Sequence, residues 1–291
     1  MKLLKYLSSL TISLILVFKL NLVKSYYIKE GKNNDIQINN FAFGSCFNGF
    51  AHNKRFDAFD SILKNNPDLF VWLGDVAYLD NLDHNLLLGL VPKYDEVKLK
   101  TKFDETFNEK NYKKFREKKP IIGIWDDHDY SYNNAKGDSP YKHQVKQLFL
   151  DFLETPKNSL RRTPEEKGIY TSYSLGIGFK SVKFILLDLR YEQTSTGKDE
   201  AMMSEEQWKW LKQELTNSDE TFTFITSGIQ FLPDNRNIWI EKWYQSSKRR
   251  LLNLIGETKK SGVIILSGDV HFGQLMKTFC IHPSKFIIIF K

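Results

Sequence analysis

Four apolar stretches of this 291-residue chain run into a small residue followed by side chains that bind metals. The first delivers Cys46, the second Asp75 with Tyr78 close behind, the third Asp126, Asp127, His128 and Asp129, and the last Asp269 with His271. Cys46, Tyr78 and His271 offer thiolate, phenolate and imidazole, a donor mix that suits a transition metal such as ferric iron. Asp127 and Asp269 offer hard carboxylate oxygens, which suit calcium or magnesium. Asp75 has two oxygens and can bridge a pair of ions. A single Asp after a strand is ordinarily a turn former or helix cap. Several at once, with no base between them, repel one another unless a cation sits among them.

Such endings need a sheet to bring them together. Residues 36–43 lead apolar into Gly-Ser-Cys, and residues 69–73 (LFVWL) and 120–125 (PIIGIW) read as short buried strands. Residues 170–175, 182–187, 222–226 and 263–266 continue the pattern, and the 182–187 run delivers Asp188 and Arg190. Between them lie helical periodicities: Phe56, Phe59, Ile62 and Leu63 share one face, and residues 144–154 carry Val145, Leu148, Phe149, Phe152 and Leu153. Ser204 with Gln207 is a capping-box pattern at the head of another helix. Strands alternating with helices predict a sheet covered by helices, and no repeat or Pro/Gly-rich linker divides it. One α/β domain is expected, with ligands outside the carboxyl ends of its strands.

Composition narrows the class. A hydrophobic fraction of 41% supplies a sizeable core, and an aromatic fraction of 14% excludes a disordered chain. Two cysteines exclude a disulfide-stapled scaffold. Residues 1–25 carry Lys2, Lys5, Lys19 and Lys24, no acid, and an apolar run too short for the roughly 20 residues of a spanning helix. They read as a secretory signal peptide, with a signal anchor as the alternative because lysines also follow the run. Without those four lysines the formal net charge falls from +7 to +3. That leaves no strongly basic surface for nucleic acid, and the basic stretch 110–119 reads as a solvated helix face. The division expected is therefore a signal peptide at 1–25, a polar leading segment at 26–40 and a catalytic domain at 41–291.

The motifs FGSC (43–46), LGDVAY (73–78), IWDDHDY (124–130), LDLR (187–190) and SGDVH (267–271) occur in one order and together resemble the PhoD-like (alkaline phosphatase D) family of calcineurin-like metallophosphoesterases. The resemblance implies a layered sandwich of mixed β-sheets flanked by helices, with iron beside calcium at the strand ends. It would place Cys46, Asp75, Tyr78 and His271 around iron, and Asp75, Asp127 and Asp269 around calcium. Asp126 would either ligate or orient its neighbours. His128 would lie near the leaving group as a proton donor, with Asp129 orienting its ring. Arg190 would hold phosphoryl oxygens bidentately; its alternative is an ion pair with Asp188.

Two departures stand out. Where many of these enzymes place a histidine, this chain has Gln230, which fits either an all-oxygen calcium site or a core amide. The chain also ends 20 residues after His271, with FIIIF at 286–290, where family members generally continue with more strands. It reads as a natural short form or a truncated one. His52, His84, His143 and His282 read as surface or supporting residues, Cys280 as a buried free thiol, and no N-glycosylation sequon is present. The expected protein is a monomeric phosphomonoesterase acting on a small phosphate ester, secreted or in an endomembrane or lysosomal lumen. The alternatives are a phosphodiesterase on lipid or nucleotide diesters, a metal- and phosphate-binding protein without turnover, and a nucleic-acid-binding module that no motif supports.

Overall fold

In the computed structural model, residues 26–47, 57–82, 95–164, 167–194, 200–232, 241–279 and 286–290 are described. Residues 1–25, Phe56, His52, His84, His282 and Cys280 lie outside them. The first half contributes β1 (Gly31–Asn33), β2 (Phe41–Gly44), α1 (Asp57–Lys64), β3 (Leu69–Leu73), α2 (Glu96–Asn108), α3 (Lys110–Arg116), β4 (Ile121–Ile124), α4 (Asp127–Tyr130) and α5 (Lys142–Phe152). The second contributes β5 (Thr171–Leu175), β6 (Val182–Leu186), α6 (Glu205–Thr216), β7 (Phe222–Ser227), α7 (Gln245–Glu257), β8 (Val263–Ser267), β9 (Leu275–Phe279) and β10 (Phe286–Phe290). Among the described residues no helix is long and apolar enough to cross a membrane.

The strands form a parallel three-stranded sheet, β2-β3-β4, and a mixed seven-stranded sheet, β1-β5-β6-β7-β8-β10-β9. In the larger sheet β5 runs antiparallel to β6 and β9 antiparallel to β10; the other pairs are parallel. Alternation along each strand explains the stacking. On β3, Leu69, Val71 and Leu73 join Ile122 and Ile124 of β4 in facing Val182, Phe184 and Leu186 of β6, with Phe224 and Leu266. The opposite face of β3, Phe70 and Trp72, packs on Phe59, Phe103, Tyr112, Phe115 and Phe149 from the helices of the first half. The opposite face of the large sheet, Ile185, Ile225 and Ile265, packs on Trp208, Leu211, Leu251 and Ile255 of α6 and α7. The result is helix, sheet, sheet, helix.

The expected strands and helices are present with ends shifted by one or two residues. The segment 26–40 is part of the folded unit, a correction to its reading as a polar leader. β1 within it pairs with β5, and Ile28 and Ile38 are buried between the sheets. Scattered apolar residues in a polar run hid that role. The stretch 110–119 is a solvated face on one side only, because Tyr112 and Phe115 of α3 are buried. The capping box is half made. Ser204 accepts the Gln207 N–H, but the Gln207 amide brackets Asp188 instead, accepting its N–H at 2.9 Å and donating to its carbonyl at 2.8 Å.

The ring of Phe184 is fully buried between the sheets, 5.1 Å edge-on from Phe41 and 5.2 Å stacked on Phe224. Phe184→Ala should therefore cost about 3–5 kcal/mol. A urea midpoint lowered by that free energy divided by an unchanged slope is the expected result, and a loss below about 1 kcal/mol would mean that the sheets do not close on this ring.

Candidate active site

Four parallel strands end at one place, and the residue two positions beyond each carries a metal-competent side chain. Cys46 follows β2, Asp75 follows β3, Asp126 follows β4 and Asp269 follows β8. Three of them take left-handed backbone conformations, with φ of 58° at Cys46, 55° at Asp75 and 69° at Asp269. Non-glycine residues rarely adopt that region, and where they do the surroundings hold them there. Here the Cys46 N–H donates to the Gly74 carbonyl at 3.2 Å and the Phe47 N–H to the Asp75 carbonyl at 2.8 Å. Gly74, at φ 98°, leaves room for Asp126: a Cβ there would sit 2.5 Å from the Asp126 Cβ.

The side chains meet. Cys46 Sγ lies 3.5 Å from Asp75 Oδ2 and 3.3 Å from the Asp269 carbonyl. Tyr78 Oη lies 3.4 Å from His271 Nε2, and the Tyr78 ring lies 4.3 Å from the His128 ring, tilted by 31°. Asp75, Asp127 and His128 each place a potential ligand atom within 4.8 Å of one another. Beside them a cavity of about 490 Å³ is lined by Ser45, Cys46, Ser267, Val270 and His271 together with Phe43 and other apolar residues. All seven residues read as metal ligands thus gather at the carboxyl ends of parallel strands.

Three assignments change. His128 is oriented by Asp80 rather than Asp129: His128 Nδ1 is 2.7 Å from Asp80 Oδ2. Asp129 turns the other way. Its carboxylate accepts the backbone N–H groups of Asp75 at 2.5 Å, Ala77 at 2.8 Å and Asp126 at 3.1 Å, clasping the two metal-binding loops together. Arg190 does not face the cavity. It is fully buried, with Nε and Nη2 each 2.6 Å from Asp126 Oδ1 and Nη1 2.5 Å from Glu241 Oε2. Its pairing with Asp188 fails too, since the Asp188 carboxylate accepts the Trp125 indole N–H and the backbone N–H groups of Ile169, Arg190 and Tyr191. Asp80 lies only two residues past Tyr78, so proximity to the motif was a usable signal. Glu241 had no local signal at all.

Electrostatics show whether cations fit. Burial and the neighbouring carboxylates of Asp127 and Asp126 push the Asp75 carboxyl well above its usual range. Burial does the same to Asp126, although Arg190 opposes it. Burial, then Asp75, push up both the Cys46 thiol and the Tyr78 phenol. Burial pushes Asp129 up to about 7 against the backbone N–H groups that favour its charge. His128 goes up to about 10, because Asp80, Asp127 and Asp75 outweigh the burial that disfavours its charge. Asp127 alone is lowered: Arg190, His128 and two backbone N–H groups overcome its burial. Asp75 Oδ1 and Asp126 Oδ2 are buried without a hydrogen-bond partner. Buried carboxylate oxygens without partners, beside a thiol and a phenol, form a donor set that a cation would ionise and satisfy. The residues present fit a metal centre. Gln230 is also fully buried; its Nε2 donates to Gln274 Oε1 at 3.3 Å and its Oε1 has no partner among the described residues. His143 meets Tyr191 Oη at 2.7 Å, a supporting position.

The two aspartates around this helix turn should separate cleanly on mutation. Asp129→Asn replaces an acceptor of three backbone N–H groups with an amide that must turn a donor on some of them, so it should lower stability by about 2–3 kcal/mol. Asp80→Asn keeps an oxygen for the Asn133 N–H and gives up one charge-assisted contact, to His128, so it should cost less, about 1–2 kcal/mol. Thermal melts of both variants test this, and equal losses would remove the distinction between clasp and orienting group.

The sequence profile described as PhoD-like phosphatase matches residues 41–279. Among solved structures the chain is similar to one described as "Structure of PhoD", with a TM-score of 0.70 and 18% identity over 88% of this chain and 56% of that one. It is also similar to "GAP50 the anchor in the inner membrane complex of Plasmodium", with a TM-score of 0.51 and 13% identity over 87% of this chain and 71% of that one. At these identities the likeness shows the fold, and this chain spans 56% of the length of the PhoD structure. No match was found among curated protein sequences. The profile covers most of the chain and every motif that supplies the site, and the chain belongs to the PhoD-like phosphatase family.

Proposed function

We propose that the protein is a metal-dependent phosphoric ester hydrolase that acts on phosphomonoesters in the manner of alkaline phosphatase D. The observation that carries this reading is the set of buried carboxylate oxygens without protein partners, on Asp75 and Asp126, beside Cys46, Tyr78 and His271. In this reading Cys46, Asp75, Tyr78 and His271 hold iron, and Asp75, Asp127 and Asp269 hold calcium. Bound there, the two ions supply positive charge for the phosphoryl oxygens and lower the pKa of a water for attack on phosphorus.

The chain's own groups do the rest. Asp80 fixes the His128 ring through Nδ1, which leaves Nε2 to deliver a proton to the departing alkoxide. The hydrogen bond to Asp80, which holds no metal in this reading, favours the protonated ring. The Tyr78 ring, packed at 4.3 Å against it, limits its rotation. Asp129 does no chemistry; it holds the Asp75 and Asp126 loops at a fixed separation. The signal-like residues 1–25 place the enzyme, in this proposal, in a secreted or lumenal compartment as a monomer.

Hydrolysis of a chromogenic monoester and diester by the purified protein, with elemental analysis of the same preparation, tests the proposal. Turnover of the monoester with iron and calcium both present is expected; metals without hydrolysis of either substrate would refute it, and zinc alone would refute the metal assignment. Cys46→Ser should lose iron selectively, since an alcohol is a poor substitute for thiolate. Full iron occupancy in that variant would make Cys46 structural. His128→Ala should slow alkyl phosphates about 100- to 10,000-fold while affecting nitrophenyl phosphate far less, because nitrophenolate leaves without a proton. Equal losses on both, with metals retained, would reassign His128.

A further inference from the structure

Among the described residues Arg190 is the guanidinium that pairs with the carboxylate cluster, and its fork lies against carboxylates on two sides, although Nη2 makes only an ion-pair contact without hydrogen-bond geometry. Nε and Nη2 both meet Oδ1 of Asp126, Nη2 also lies 3.7 Å from Asp127 Oδ1, and Nη1 meets Glu241 and, at 3.3 Å, the Ala135 carbonyl. Both contacts to Asp126 go to the same oxygen, so its other oxygen, Oδ2, stays buried without a partner. The position of Asp126 is further constrained by the backbone, because a Cβ on Gly228 would sit 2.5 Å from Oδ1. A side chain that holds one oxygen of a carboxylate and leaves the other open sets the direction in which that carboxylate can bind.

The charge balance explains Glu241. A bare guanidinium beside Asp126 and Asp127 would compete with a cation for the same carboxylates. Glu241, only 13% exposed, sits on the far side of the guanidinium and offsets its charge. It is contributed from just before α7, remote in sequence from every motif.

We infer that Arg190 and Glu241 form a positioning pair that fixes Asp126 through Oδ1 and leaves Oδ2 open as a further donor, beyond Asp75, Asp127 and Asp269, for the calcium-type cation, and that Glu241 keeps Arg190 from neutralising the site, with no contact to substrate. This rests on the metal-dependent reading of the site and goes beyond it by taking Arg190 out of phosphate binding. The pair acts through geometry and charge, so its variants should change cation affinity specifically.

The test is calorimetric titration of the full metal-stripped protein with calcium, alongside thermal melts and inorganic phosphate inhibition measured at saturating metal. Glu241→Gln should keep the fold, weaken calcium binding about 10-fold and leave phosphate inhibition within about 2-fold of wild type. Arg190→Lys keeps the charge but cannot fork, and should weaken calcium binding by a similar factor; Glu241→Asp should restore part of the loss. Calcium affinity unchanged in Glu241→Gln would overturn the inference, as would phosphate inhibition weakened 10-fold or more in Arg190→Lys with calcium binding intact. A variant that loses only thermal stability would make the pair merely structural and likewise overturn it. Wild-type protein that binds no divalent cation would defeat the proposed function itself, which is a separate result.

Discussion

Four aspartates, Asp75, Asp126, Asp127 and Asp129, share one buried junction, and their mutual repulsion is the constraint around which the structure is built. Each is handled differently. Asp129 is surrounded by backbone N–H groups, Asp127 is held by the Asn134 N–H at 2.6 Å with Arg190 nearby, and Asp126 is half taken by Arg190. Asp75 keeps an oxygen with no partner. Compensation is therefore complete for the residue that braces the loops and incomplete for Asp75 and Asp126, each of which keeps one buried oxygen without a hydrogen bond. A buried carboxylate without a counter-charge is costly enough that a folded protein does not keep one idly. In the proposed function, that incompleteness is what the cations would satisfy.

The backbone supports the same division. Cys46, Asp75 and Asp269 hold left-handed conformations after parallel strands, which bend the chain sharply and turn each side chain toward the next strand's end. Asp and Asn tolerate that region through local hydrogen bonds; cysteine has no such help. Cys46 is kept there by backbone contacts to the Gly74 and Asp75 carbonyls on either side of it. Strain of this kind, on the order of 1–3 kcal/mol per residue, persists because two packed sheets overdetermine the turns. The inter-sheet core around Phe184 is thus the support for the metal loops as well as the source of stability.

The elements and the residues that gather at the strand ends were legible in the sequence because both depend on local order. Apolar runs such as LFVWL alternate with the period of strands, and chemistry-bearing residues follow them at short, fixed spacing. The role of residues 26–40 was less legible, since Ile28 and Ile38 are buried by partners that lie far along the chain. Asp80 and Asp129 illustrate the limit most directly. One follows LGDVAY by two residues and the other lies inside IWDDHDY, and both are carboxylates, yet Asp80 meets the His128 ring and Asp129 meets backbone N–H groups.

What the sequence determined by itself was the family, the strand-ending motifs and the chemical character of the donors, since these are properties of residue type and spacing. Tertiary structure alone decided which carboxylate serves which task, because partners such as Asp126 and Arg190, or Arg190 and Glu241, are separated by dozens of residues and their pairing depends on how two sheets stack. A charge reads the same in a sequence wherever it sits; its role is set by the charge folded against it.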